Sequence, residues 1–423
     1  MASTLYYKAV ASIAAYFTTV LSALFVCIYR TRLTASNAFY ILIATASLFT
    51  TWYYILSWFH VEYVALGSNL DRFILESDLF VKAYALVTDN LSKWWWSSQL
   101  LIGTGTLLTF WSVEGQSLRL EVEEHNHQNR TKNNFKKRTW TPTWWFVLLG
   151  FFGSMSVGGP LFLAQLDNQD RQQQQQQQQQ RSSNNSIKRT TTTCHARSVP
   201  GWLVLTILLG EISVLLTPFF ATTDKRFTIN LMLTHAFFLI PALFSFDPRL
   251  TRGGWSGRMT LPRLYILLAL IALVSQFAYT LPFLTFGNNV RFSNIFESLL
   301  HYSGLRDSSS SHLHAQPALS VKDLYWALWD NHCQTSISAD LVFNNLLAAI
   351  VMVRTSASMG KAAVGWILTA WMPLLSVSTV LPLFLAWKER QDTVGSPATV
   401  KTLNAAAKAG IHLDQNKEQR HMD

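Results

Sequence analysis

Charge is scarce in this chain of 423 residues. Asp, Glu, Lys and Arg make up only 14% of it, where a soluble domain carries about 25%. That deficit argues against a water-facing enzyme. Cysteine is scarcer still, with three in total, Cys27, Cys194 and Cys333. Three cysteines without a CxxC pair make neither a disulfide framework nor a structural zinc site. Aspartate-rich DDxxD or NDxxD pairs are missing, which excludes the magnesium diphosphate chemistry of a prenyl donor enzyme. Also absent are a Walker loop, a GxGxxG after a strand, a GxSxG elbow and an HExxH pair. His125/His127 and His312/His314 fall in polar connections without the i,i+4 spacing of di-iron sites. No haem or flavin motif is visible, so neither metal nor cofactor is expected.

What is abundant is apolar: 49% hydrophobic and 13% aromatic residues. The apolar residues fall in blocks of roughly 20, the length that crosses a hydrocarbon core about 30 Å thick. The sequence therefore predicts an all-α polytopic membrane bundle of about eight to ten spans. Blocks at 9–28, 37–59, 94–113, 144–166, 200–220, 228–246, 264–286, 336–353 and 363–387 give nine. Residues 1–390 then form one transmembrane domain and 391–423 a polar, flexible tail. The first block is too long for a signal-peptide core and reads as an uncleaved anchor.

Two polar connections, about 114–139 and 167–198, stand out. The second holds Gln172 to Gln180 followed by Ser, Asn and Thr, a composition that cannot bury enough surface to order itself. Both are expected to be disordered inserts. The net charge of +10 lies mostly between apolar blocks, without a basic helix or stacking platform. It suits anionic lipid rather than nucleic acid. The nine-span count gives the C-terminal side a small excess of Lys and Arg. That side also takes the clusters Arg30/Arg32, Lys136–Arg138, Lys225/Arg226 and Lys388/Arg390. It would be cytosolic, the Gln-rich connection lumenal, and Asn184 in Asn184-Asn185-Ser186 a glycosylation acceptor. Asn129-Arg130-Thr131 would lie on the wrong side for that.

Ionisable groups within spans mark candidate chemistry, because a charge in lipid costs several kcal/mol. Glu211 sits near the middle of 200–220 and His235 near the middle of the next block. A short connection makes these helices an antiparallel hairpin, so the two groups share a depth. Gln276 and Tyr279 lie mid-span in 264–286. Each serves either an interhelical hydrogen bond or a reaction.

Residues 71–90, set on a helical wheel, gather Asp71, Asp78, Lys82 and Asp89 on one face. Phe73, Phe80, Tyr84 and Val87 gather on the other, and Glu76 falls among them. A desolvated Glu76 would be a general acid; an interfacial amphipathic helix is the structural alternative. Trp94, Trp95 and Trp96 read as an interface belt or as the wall of a pocket for a cation. Ser97, Ser98 and Gln99 follow. Ser336, Asp340 and Asn344 share a face of the block they open. There Ser caps the helix with Asp340 in its first turn, or the stripe lines a cavity.

Three stretches carry a resemblance: Phe73-Ile74-Leu75-Glu76-Ser77-Asp78-Leu79-Phe80, Trp94-Trp95-Trp96-Ser97-Ser98-Gln99 and Ser336-Ile337-Ser338-Ala339-Asp340-Leu341. With the span pattern, they resemble fungal integral-membrane proteins of secondary metabolism. Among these are the terpene cyclases of the ascochlorin, ascofuranone and macrophorin pathways. The resemblance implies a protonation-started cyclisation of a farnesyl chain on an aromatic polyketide, beginning at an epoxide or an olefin.

That reaction needs a protonated carboxyl in a dry pocket, aromatic faces for the cations and a weak base. Its substrate is a lipophilic small molecule entering from the bilayer of the endoplasmic reticulum; no obligatory protein partner is inferred. The candidate acid is Glu76 or Asp78, with Asp340 or Glu211 as alternatives. His235, or water held by Asn344 or Gln276, takes the last proton, and Phe73, Phe80 and Trp94 to Trp96 line the pocket. In the nine-span count Asp78 and Asp340 start on opposite sides of the membrane. The rival reading is a proton-coupled transporter or receptor for a lipophilic metabolite, with Glu211 and His235 as a relay.

Overall fold

Backbone hydrogen bonds have no partner in hydrocarbon unless the chain coils, so the apolar blocks form helices. The computed structural model describes residues 2–31, 33–35, 37–77, 79–129, 141–183, 197–220, 224–244, 258–286 and 321–394. Fourteen helices run through them. They are α1 (Ala2–Arg30), α2 (Ala38–Ala65), α3 (Leu70–Glu76), α4 (Leu79–Thr88), α5 (Leu91–Asn129), α6 (Thr143–Phe152) and α7 (Met155–Ser183). After them come α8 (Gly201–Phe220), α9 (Asp224–Phe244), α10 (Leu261–Phe286), α11 (Val321–Ala327), α12 (His332–Ser358), α13 (Ala362–Leu375) and α14 (Val377–Val394). Strands β1 (Ser198–Pro200) and β2 (Arg258–Thr260) pair antiparallel and tie the starts of α8 and α10.

Six helices, α1, α2, α8, α9, α10 and α12, are long and apolar enough to cross a membrane. Polar contacts at the helix ends define two faces. At the first, Thr34 bonds Asn168 of α7, and Arg354 near the end of α12 bonds Tyr40 at 2.8 Å. Arg197, ahead of α8, pairs there with Glu114 of α5 and Glu389 of α14. At the second face, Lys93 at the start of α5 pairs with Asp330 ahead of α12 at 2.6 Å. Tyr84 of α4 packs on Phe227 near the start of α9 there.

Helix α5 therefore runs from one face to the other as a seventh crossing. It is less apolar because it packs against protein rather than lipid: Thr104, Thr106, Thr109 and Ser112 are all buried on it. Thr104 and Thr109 bond carbonyls four residues back.

Blocks 144–166 and 363–387 are not single crossings, as the sequence suggested, but re-entrant hairpins. Helix α6 has ten residues, a rise of about 15 Å, half of a hydrocarbon core. The chain reverses at Gly153 and Ser154, and α7 returns alongside. Gln165 donates to the Thr141 carbonyl at 3.4 Å, and Phe146 meets Phe162 at 5.4 Å. The arms approach closely at Gly158, where a methyl group would stand 2.9 Å from the Phe146 carbonyl oxygen. The second hairpin, α13 and α14, reverses at Ser376, whose φ of 65° is a sparsely populated conformation for a residue with a side chain. Lys361 at one foot bonds Gln391 at the other and lies 5.7 Å from the Trp387 ring. Both hairpins enter from the first face, so two apolar blocks do not change sides.

Further expectations are corrected. Residues 114–129 continue α5, and 167–183, with the nine glutamines, continue α7. A continuing helix satisfies backbone groups whether or not its side chains are apolar. The Gln-rich segment leaves from the same face as α14, not the opposite one, whereas Lys225 and Arg226 lie at the second face. The rest of both inserts, 130–139 with Lys136 to Arg138 and 184–196 with Asn184, lies outside the described residues, as does 395–423. Helix α12 starts at His332 rather than Ser336: Asn331 caps it, its side chain accepting from the Gln334 N–H at 2.9 Å. The stretch 71–90 breaks into α3 and α4 at Ser77, which is extended, so its two wheel faces do not run through.

Lys93, 8% exposed at its side chain, bridges Asp89 and Asp330, which are about half exposed. The hydrogen bond from Lys93 holds the Asp330 carboxyl below its usual range. Its contribution is thus full above about pH 4, the unfolded value, and is lost as pH falls through the lowered folded value. Asp89→Asn with Asp330→Asn strands a buried ammonium and is expected to cost about 1–2 kcal/mol. Lys93→Met, leaving two wet carboxylates, should cost less. Thermal unfolding in detergent compares them.

Candidate functional site at mid-membrane depth

The first hairpin tip leaves the N-terminus of α7 in the middle of the bundle, with N–H groups that need acceptors. Asp340, two turns into α12, supplies them across the helix interface. Its Oδ1 accepts from the Ser156 N–H at 2.7 Å and the Ser154 hydroxyl at 3.0 Å; Oδ2 accepts from the Met155 N–H at 3.3 Å. Asn344, one turn on, donates to Oδ1 at 3.0 Å and to the Asp340 carbonyl at 2.9 Å. Ser156 also shares a hydrogen bond with Ser47 of α2. Asp340 thus caps a different helix from its own, not the first turn of α12 as expected.

Glu211 lies midway along α8 and is 1% exposed. Neither carboxylate oxygen has a hydrogen-bond partner among the described residues. It sits against Gly105 of α5, where any side chain would collide with Oε1. Phe238 of α9 fills the remaining space; a methyl group on Gly210 would stand 2.5 Å from its ring.

His235 shares this depth but does not bond Glu211. Its Nδ1 lies 2.7 Å from the Leu231 carbonyl, which only accepts, so Nε2 keeps the lone pair. Its ring packs on Phe151 at 5.0 Å and Phe152 at 6.3 Å, beside the first hairpin tip. The α8–α9 seam is held instead by Ser213, Asn230, Thr234 and Thr217.

Glu76 departs from expectation. It is 49% exposed at its side chain and pairs with Arg72 at 3.3 Å, instead of being enclosed by Phe rings. The short helix α3 lies at the bundle surface, and Phe73 turns away to meet Tyr63 at 5.9 Å. Asp78 and the Phe80 side chain lie outside the described residues. The ends flanking Asp78 are at the second face, and Leu79 packs with Cys333 of α12, which removes the side conflict with Asp340.

The three tryptophans form neither a lipid-facing belt nor an open pocket wall. Trp94 is buried edge-on against Tyr279 at 6.0 Å, Trp95 donates to Thr280 and Trp96 to the Leu324 carbonyl. They lock α5 to α10 and α11. Gln276, buried, is one turn before Thr280 and takes its hydroxyl on the backbone carbonyl.

Gln99 and Asn344 meet at a small cavity beside the second hairpin tip, with Gly103, Thr106 and Ser378. Sequence reasoning missed Ser154, Ser156, Gly105 and Ser378. The signal for the serines was a Gly-Ser pair in one apolar block and a single Pro373 shortly before Ser376 in the other. Among the described residues no three His, Cys, Asp or Glu side chains are grouped to hold a metal ion.

A family model described as a protein of unknown function, DUF2834, matches residues 308–390. The described part of that stretch is α11, α12, α13 and most of α14, a crossing with the re-entrant hairpin that follows it. Comparison with curated proteins and with solved structures gave no match. The chain is thus a multi-pass, all-α membrane protein that shares one segment with a family of unassigned activity.

Proposed function

We propose that the protein is an intramembrane terpene cyclase of meroterpenoid biosynthesis, with Glu211 as the proton donor. One observation carries the choice of residue: a fully buried carboxyl at mid-membrane depth with no hydrogen-bond partner among the described residues. Such a group costs stability, and a reaction that starts by protonation is a reason to keep it. Asp340 is a poorer donor because both its oxygens cap α7, so it is assigned to positioning. Glu76, wet and ion-paired, is dropped.

As the neutral acid, Glu211 delivers its proton to a terminal epoxide oxygen or olefin of a farnesyl chain. Ring closure passes the cation to the far carbon of the attacking olefin, and loss of a proton from the neighbouring carbon to His235 Nε2 or to water ends the sequence. The proton returns to the carboxylate, so the product is an isomer of the substrate. Aromatic faces from Phe151, Phe152 and Phe238 stand beside these groups. A farnesyl-aryl substrate needs several hundred Å³. Its entry therefore requires the hairpin tips, held by hydrogen bonds rather than by continuous helix, to part. Most Lys and Arg belong to segments that begin or end at the first face, which makes that face cytosolic by the positive-inside rule. The endoplasmic reticulum is the proposed membrane.

Microsomes carrying the protein, fed epoxidised or olefinic farnesyl-aryl substrate, test this. A product of unchanged mass and new retention is expected, absent in Glu211→Gln and retained in Glu76→Gln. No product from well-expressed wild type overturns the reading. The discontinuous helices at mid-depth favour a second one, a proton-coupled transporter of a lipophilic metabolite, which proton-dependent uptake into vesicles would establish.

A further inference from the structure

Helix α1 is packed into the bundle along one half only. Thr34, just past its end, is held at the first face, and Val20, Ala23 and Cys27 are buried. From Tyr6 to Thr19, toward the second face, no residue is buried. The change falls at the first hairpin tip, where the Tyr16 hydroxyl donates to the Phe152 carbonyl at 2.6 Å. Helix α6 packs against both α1 and α9 and stops there. On the second-face side of the tip, α1 and α9 therefore flank a groove that opens sideways to lipid. It runs for half of the hydrocarbon core, about 15 Å. Phe151 and Phe152, both half-buried, roof it. Phe17 of α1 and Trp52 of α2, 6.0 Å apart, stand at its wall, and Tyr6 meets Asp71 of α3 at its outer end.

His235 brings a polar group to this groove. Helix side chains lean toward the N-terminus of their helix, and α9 starts at the second face, so the imidazole leans below the tip. It is half-buried. Nδ1 is engaged by the Leu231 carbonyl, which leaves Nε2 a lone pair with no donor among the described residues. An acceptor in hydrocarbon is satisfied only by a ligand that carries an O–H or N–H, and lipid tails carry neither. An olefin or an epoxide has no such donor. Protonating an epoxide breaks one C–O bond as the olefin attacks and leaves the oxygen as a hydroxyl, at the depth that Glu211 and His235 share. Once the proton has returned to the carboxylate, Nε2 is free to accept from that hydroxyl.

We infer that the groove between α1 and α9, beneath the first hairpin tip, holds a terpenoid alcohol with its hydroxyl donated to His235 Nε2. That this alcohol is the product rests on the cyclase reading, which it narrows to an epoxide start.

The full chain in detergent, melted with farnesol or with farnesyl methyl ether, provides the test. Farnesol is expected to raise the melting midpoint saturably, and the ether, equal in chain but without the O–H, to raise it several-fold less. His235→Phe keeps a ring against Phe151 and should erase the difference. Ile13→Trp, which fills the groove from the half-buried face of α1, should lose the response to both. Equal shifts from alcohol and ether, or a difference that survives His235→Phe, would overturn the inference. A membrane sterol that displaces farnesol at equal concentration would do the same and give the groove to sterol. Melting needs no turnover, so the two readings fail separately. A protein that cyclises substrate without preferring the alcohol refutes the groove and keeps the cyclase. One that prefers the alcohol but makes no product keeps the groove and refutes the cyclase. Should the variants fail to accumulate, a photoreactive diazirine analogue of farnesol decides on wild type. Adducts on α1 or α9 beside the tip, displaced by farnesol but not by the ether, support the groove; adducts elsewhere refute it.

Discussion

Asp340→Ala is expected to prevent the protein from accumulating in a folded state. The substitution strands the Met155 and Ser156 N–H groups and one of the two Asn344 N–H groups at once, and leaves the Ser154 hydroxyl only the Ser156 hydroxyl, all at mid-membrane depth. Each stranded buried donor costs about 1–3 kcal/mol, and partial relaxation brings the sum to about 4 kcal/mol. Domains commonly have about 5–15 kcal/mol in total. Asp340→Asn should behave differently. Its oxygen can keep the three donors of Oδ1, and its amide would face only Met155, the longest of the four bonds. A loss near 1 kcal/mol is expected. Fluorescence-detected size exclusion and thermal unfolding in detergent compare the two. Equal losses would mean that the charge, not the pattern of acceptors, holds the hairpin.

The contrast also bears on function. A stable Asp340→Asn that still forms product leaves Asp340 a positioning group. A stable but silent one would put it beside Glu211 in the proton chemistry.

The all-α bundle was legible because hydrophobic block length reports the membrane directly. Which blocks cross was not. A block of 23 apolar residues reads the same whether it runs straight or doubles back, and the difference rests on two or three residues. Gly153-Ser154 in one block and Pro373 to Ser376 in the other are those residues. What turns a local break into a hairpin is a partner elsewhere: Asp340 lies nearly 190 positions away from Ser154. No spacing rule along the chain connects them. The glutamine run failed for a related reason. Composition measures how much surface a segment can bury, but a helix already started by Met155 to Asn168 satisfies its backbone groups as it continues to Ser183.

At the site, depth was readable and direction was not. Counting from the hairpin connection placed Glu211 and His235 level, yet they turn to different neighbours, one to Gly105 and the other to Phe151. Seven residues of α3 made Glu76 look enclosed only because the wheel was carried across the break at Ser77. The tryptophan run was unusual in composition, and its function in the fold came from partners on α10 and α11 that lie far along the chain.

Glu211→Met is expected to raise stability while abolishing product formation. A thioether of similar volume fills the space between Gly105 and Phe238 without leaving polar atoms unsatisfied, which should gain about 1–2 kcal/mol. A carboxyl that served only as an interhelical strut would show the reverse, a loss of stability with turnover preserved. Among the described residues there is no strut partner: the hydrogen bonds of the α8–α9 seam run through Ser213 and Asn230, half a turn away. Glu211→Gln adds the second half of the argument. It preserves shape and polarity and removes only the transferable proton, so it should melt near the wild type and stay silent. Melting curves with product yields per folded protein separate the cases. A Glu211→Gln protein that cyclises substrate would remove Glu211 from the chemistry, however well Glu211→Met folds. Proteins keep an unsatisfied buried group against its cost in stability where activity requires it, and these two substitutions measure both sides of that trade at one residue.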